Sequence, residues 1–202
     1  MRCPGSVQAL TAAAFLAAGR AACPAETAES VTIQVDEIGK CGLKPDAVSR
    51  FLALDAEAFD QSWEGFRILG LRQCYVDAAL MIDLYVSENS GTLAPDRQNL
   101  MKFHAGQMYA FAGEPLYSLA VRRMDQSTKD ASPSWQTYVA ATVAFLKRDL
   151  SALKTHRGIL AELTSSPGNK LNLAVLDRLI TSFDKPYAEA YLPQGALPYP
   201  PA

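Results

Sequence analysis

From residue 45 onward the apolar positions recur every three and four residues. Phe59, Trp63, Phe66 and Leu69 fall on one stripe, Cys74, Ala78, Met81 and Tyr85 on another. Val139, Val143, Leu146 and Leu150 form a third, and Leu173, Leu176, Leu179 and Phe183 a fourth. This is the spacing of amphipathic helices that each bury one face. It predicts helices over 46–54, 55–72, 74–88, 95–112, 115–127, 134–148, 150–163 and 172–190.

The expected breaks have local causes. Pro45, Pro95 and Pro115 suit first helical turns, with Asp46 and Asp96 placed to favour the N-terminal ends. Ser87 to Gly91 is rich in turn formers, Gly113 can take a positive φ, and Thr164 to Asn169 reads as a loop. Before the helices, Val31, Ile33 and Val35 alternate with Thr32 and Gln34, a short extended pattern within residues 26–45. After them, residues 192–202 carry Pro193, Pro198, Pro200 and Pro201 and read as an extended Pro-rich tail. The fold class expected is all-α, one helical domain over 46–191.

Residues 1–25 follow another pattern. Arg2 is followed by the uncharged Val7 to Gly19 and then by small residues, with cleavage sites after Ala21 or Ala25. That order reads as a secretory signal peptide, and the apolar run is shorter than the ~20 residues that span a bilayer. An Ala-rich N-terminal helix is the competing reading, favoured by Arg20, and a lipid anchor on Cys23 is a further alternative. Periplasmic or secreted location is the expectation.

Composition changes the picture little, with 49% hydrophobic and 20% charged residues. Losing Arg2 and Arg20 with the leader would leave 17 basic against 21 acidic side chains, a formal charge of −4. A mildly acidic surface of this kind draws neither nucleic acid nor anionic lipid.

Of the cysteines, Cys41 and Cys74 would remain, an even pair in an oxidising compartment and candidates for a disulfide. Simple burial of Cys74 among its apolar neighbours is the other reading. His104 and His156 lack the paired spacing that holds zinc on a helix, and no metal or cofactor is expected. No Gly-x-Ser-x-Gly elbow or phosphate loop occurs. Asp60 and Glu64 stand four apart on one predicted helix, the minimum spacing for acid–base work, and a solvated face explains them better. Arg122, Arg123, Lys147 and Arg148 read as exposed helix ends.

Within Phe103 to Glu114, residues Gly106, Tyr109 and Gly113 stand at the spacing of the tetratricopeptide pattern, with Ser118 at the small position of the next helix. Trp135, Tyr138, Val139, Thr142 and Ala152 lay out as a second copy, and Ala78 and Trp63 as a fainter one. On these residues the chain resembles degenerate tetratricopeptide helical-repeat proteins over about residues 59–163. The resemblance implies antiparallel helix pairs stacked in a right-handed array, with a capping helix near the C-terminus. It also implies a concave wall that binds a protein or peptide, carrying Trp63, Arg67, Phe103, Gln107 and Gln136. The function expected is therefore a non-enzymatic binding scaffold of the bacterial cell envelope. The alternative is an enzymatic or small-ligand protein with a pocket between helices, lined by His104, Tyr109 and Trp135.

Overall fold

The computed structural model describes residues 41, 43–163 and 167–192. The signal segment, the Val31 to Val35 alternation, Cys23 and the prolines of the tail lie outside them. The described residues form an all-α protein, and no strand occurs among them.

The helices are α1 (Pro45–Leu52), α2 (Ala56–Gln61), α3 (Arg67–Leu71), α4 (Tyr75–Glu88), α5 (Pro95–Phe111), α6 (Tyr117–Gln126), α7 (Pro133–Leu146), α8 (Leu150–Glu162), α9 (Pro167–Thr181) and α10 (Tyr187–Tyr191). A short 3-10 turn, Glu114–Leu116, leads into α6. Local chemistry sets many starts. Pro occupies the first turn of α1, α5 and α7, and the side chains of Asp55, Ser132 and Asp149 accept the cap hydrogen bonds of α2, α7 and α8.

Three expectations are corrected. The helix read over 55–72 is broken between Gln61 and Arg67. There Phe66 N–H bonds back to the Phe59 carbonyl, and a Cβ on Gly65 would collide with that same backbone. The helix read over 172–190 stops at Thr181, because Pro186 cannot continue it and restarts α10 instead. In the other direction, α9 begins at Pro167 and takes in Gly168 and Asn169, residues expected in a loop.

Packing follows the chain: α4 lies on α5, α5 on α6, α6 on α7, α7 on α8 and α8 on α9. Beyond these neighbours, α7 also lies on α9, α1 on α4, and α10 returns to α5 as well as to α9. The core runs through the stack as an aromatic series. Phe59 stacks on Tyr85 at 3.8 Å, Phe103 meets Trp135 and Tyr138, and Phe111 meets Tyr187 and Tyr191.

α5 and α6 approach closely at Gly106, where a Cβ would stand 2.7 Å from Met124 Cγ and 2.9 Å from the Ala120 carbonyl. Glycine is therefore what lets α5 and α6 meet. Ala120, fully buried, is the small residue on the facing helix, whereas Ser118 is exposed. The loops after α3, α5 and α7 each hold a residue at positive φ, namely Gln73, Gly113 and Arg148. Counting back seven residues from Gly113 reaches Gly106, and from Arg148 reaches the fully buried Ala141.

Candidate functional site

α2 and α3 present their polar side to α5. Asp60, its side chain fully buried near the end of α2, meets His104 of α5 with Oδ1 to Nδ1 at 2.6 Å. Arg97, two turns earlier on α5, approaches the other Asp60 oxygen at 3.9 Å and pairs with Glu57 at the surface. Arg67 donates to the Asp60 carbonyl and, at 3.0 Å, to the Gln61 side chain, while Gln61 donates to the Asp60 carboxylate. Burial alone would raise the Asp60 pKa. The His104 charge and hydrogen bond, with Gln61 and Arg67, outweigh it and hold the carboxyl below its usual range.

An ionised Asp60 accepts the Nδ1 proton and so orients the ring, which leaves Nε2 as the acceptor of the neutral imidazole. Nε2 makes no hydrogen bond among the described residues, and it is not among the buried unpartnered atoms, so it meets solvent. The arrangement fixes the ring, with one nitrogen on a buried carboxylate and the other towards solvent.

A second polar group joins α4, α5 and α6. Asp83 accepts from Tyr109 at 3.2 Å and from Arg123 at 2.9 Å. Burial raises Asp83, and Arg123 and Tyr109 pull it back. The Tyr109 hydroxyl is raised by its own burial and by the Asp83 charge, so it stays protonated as a donor. Arg123, expected as a free helix end, is therefore part of the interior bracing. Arg148 likewise donates to the Phe183 and Lys185 carbonyls and pairs with Glu114.

Where the start of α5 meets the start of α7, a cleft of about 570 Å³ opens. Leu100 and Trp135 give it an apolar floor, Asn99 and Ser132 line it, and Asp96 and Asp130 stand in it as carboxylates, with no basic residue in the lining. Trp135 is held by a 3.1 Å bond from its indole N–H to the Ser127 carbonyl, and Asn99 by a 2.7 Å bond to the Lys129 carbonyl.

The five residues of the expected wall do not share one surface. Trp63 and Arg67 are half-buried beside the Asp60 cluster. Phe103 is 3% exposed and packs against Trp135 and Tyr138. Gln107 is 2% exposed, and its amide reaches the Tyr187 hydroxyl of α10. Gln136 is exposed and bonds to the Ala131 carbonyl beside the cleft. Phe103 and Gln107 are thus covered by the chain's own residues. The expected Asp60 and Glu64 pair does not form a helical face either, because α2 ends at Gln61 and Glu64 is exposed in the turn beyond.

Cys41 and Cys74 are joined in a disulfide, with Cα atoms 5.8 Å apart. Asp77 brings a carboxylate near both sulfurs, but bridged sulfurs are not thiolate ligands for a metal. What the sequence did not signal is the Asp60 and His104 pairing, across 44 positions. The one local hint, an isolated His among apolar neighbours, is shared with countless core histidines.

The class these features define is an all-α protein of sequentially packed helices, a framework compatible with a helical repeat. No helix among the described residues is long and apolar enough to cross a membrane. Compared with protein families, curated proteins and solved structures, the chain matches none.

Proposed function

We propose that this protein is a non-enzymatic binding scaffold for a protein or peptide, docked through the cleft between the starts of α5 and α7. The observation that carries this is the lining: an apolar floor of Leu100 and Trp135 beside the carboxylates of Asp96 and Asp130. Aromatic anchors with a charged rim suit a segment that pairs apolar side chains with lysine or arginine. The helices are read as antiparallel pairs, α3 with α4, α5 with α6 and α7 with α8, in a right-handed tetratricopeptide-like stack. The close approach of α5 and α6 at Gly106 and the direct packing of α7 on α8 support that reading. Export to the cell envelope or periplasm rests on the signal-like residues 1–25, with the Cys23 lipid anchor as its variant.

The second reading, a small-ligand or enzymatic site, is favoured by one observation. His104 is oriented by a buried carboxylate while its Nε2 faces solvent.

One titration separates the two. A labelled peptide of lysine and leucine residues, and its glutamate counterpart, are titrated against the protein by fluorescence anisotropy. The lysine peptide is expected to bind, and the doubly reversed Asp96→Lys, Asp130→Lys variant to weaken it by about tenfold at low salt and less as salt screens the rim. Equal affinity for both peptides, or for both proteins, sinks this cleft as the docking site. Loss confined to His104→Gln moves the ligand to the Asp60 side and supports the second reading.

A further inference from the structure

Among the described residues, one buried side-chain atom has no hydrogen-bond partner, Asp77 Oδ1. Asp77 lies in the first turn of α4, is 3% exposed, and brings a carboxylate oxygen within 4.8 Å of both sulfurs of the Cys41–Cys74 disulfide. An ionised carboxylate with one oxygen left unbonded in such a place is penalised by desolvation, so burial favours the protonated acid. Burial raises the Asp77 pKa, and the Cys41 backbone amide opposes it more weakly.

The two sulfurs are not equivalent. Cys41 is exposed, whereas Cys74 is 7% exposed and occupies the position just before the 14-residue α4. Charge that develops on Cys74 Sγ therefore lies in the field of a helix N-terminus, although the side chain bonds to none of its amides, and such a field lowers a thiol's pKa and makes it the better leaving group. Lys44, Asp46 and Arg50 on the α1 side and Arg72 after α3 line the groove over this disulfide, so the charged rim is net positive and admits an approaching thiolate.

We propose that Cys41–Cys74 is a thiol-exchange site, opened by an external dithiol at Cys41, with Asp77 delivering the proton that Cys74 takes up. A thiolate of the dithiol attacks Cys41 Sγ and forms a mixed disulfide as the Cys41–Cys74 bond breaks. The electron pair leaves on Cys74 Sγ, which takes the Asp77 proton. The second sulfur of the dithiol then attacks its partner sulfur and releases Cys41, and the proton it sheds restores Asp77 through solvent. The dithiol is oxidised by two electrons to its disulfide, and Cys41 and Cys74 end as two thiols, Cys41 taking up from solvent the proton that the attacking thiol had given off.

The test is reduction of the full chain by dithiothreitol, followed by quenching with a maleimide and mass spectrometry. Each rate is divided by the thiolate fraction of the reductant at that pH. The normalised wild-type rate is expected to fall by about tenfold or more as pH rises through the titration of Asp77, while Asp77→Asn is slower at the acid end and flat. Superposed profiles, or reduction that waits on global unfolding, overturn the proposal. The two cysteine variants decide independently of Asp77→Asn folding. The Cys74→Ser protein should react with an aromatic disulfide reagent at least about tenfold faster than the Cys41→Ser protein, and the reverse order overturns the assignment of the attacked sulfur.

Discussion

Asp60 is tolerated in the interior because of what surrounds it. Its carboxylate has a His104 ring nitrogen at 2.6 Å, the Gln61 amide and, at 3.9 Å, Arg97. Removing one partner of such a pair leaves the other buried and uncompensated, so Asp60→Ala is expected to cost about 3–5 kcal/mol. Because its pKa is lowered in the folded state, Asp60 adds stability above the unfolded carboxylate range, near pH ~4, and that contribution is lost as pH falls through the lowered value. Urea midpoints at neutral and acid pH check this, and the isosteric Asp60→Asn should flatten the acid limb. An acid limb unchanged by Asp60→Asn would overturn it. At this scale residue types were legible and partners were not. Asp60 was read with Glu64, four residues on, and the break after Gln61 separated them while folding supplied His104 from another helix.

Helix starts were legible because their signals are local. Proline tolerated in a first turn and a side chain that caps free amides act within four residues, whatever the rest of the chain does. Helix breaks were less legible. Gly65 ends a helical stretch through its contact with the Phe59 backbone, which spacing alone does not reveal. Pro186 stands inside the segment whose stripe runs through Phe183, and a proline has no N–H to continue the ladder. The small-residue pairing of α5 and α6 is testable at Gly106. Gly106→Val would push against Met124 Cγ at 2.7 Å and the Ala120 carbonyl at 2.9 Å, and should cost about 1–3 kcal/mol as overpacking. The exposed Ser118→Ala should change stability by under about 0.5 kcal/mol. Thermal melts of the two variants decide. Equal melting would mean that α5 and α6 do not meet at Gly106.

Across the whole molecule, α10 decides which surface is free. Tyr187 is fully buried, accepts the Gln107 amide, and has its backbone N–H bonded to the Tyr117 hydroxyl at 2.8 Å. Its ring meets Phe111 and Phe145. Emptying that volume with Tyr187→Ala is expected to cost ~3–5 kcal/mol, as for other large aromatic truncations. It should also raise binding of a hydrophobic dye, as the aromatic side of α5 loses its cover. A wild-type melt and dye signal would show that α10 is not seated there.

The sequence by itself determined that the chain is helical, where most helices begin and which residues form each apolar stripe, because those properties depend on neighbours a turn or two away. Only the tertiary structure decided which stripes meet. It set Asp60 against His104 across 44 positions and Gln107 against Tyr187 across 80. It also placed Asp77, one oxygen of which has no partner, beside a disulfide whose other half lies before α1. An apolar stripe specifies that a face must be covered, and many faces of similar size and shape can cover it. The choice among them is made by the packing of the whole chain at once.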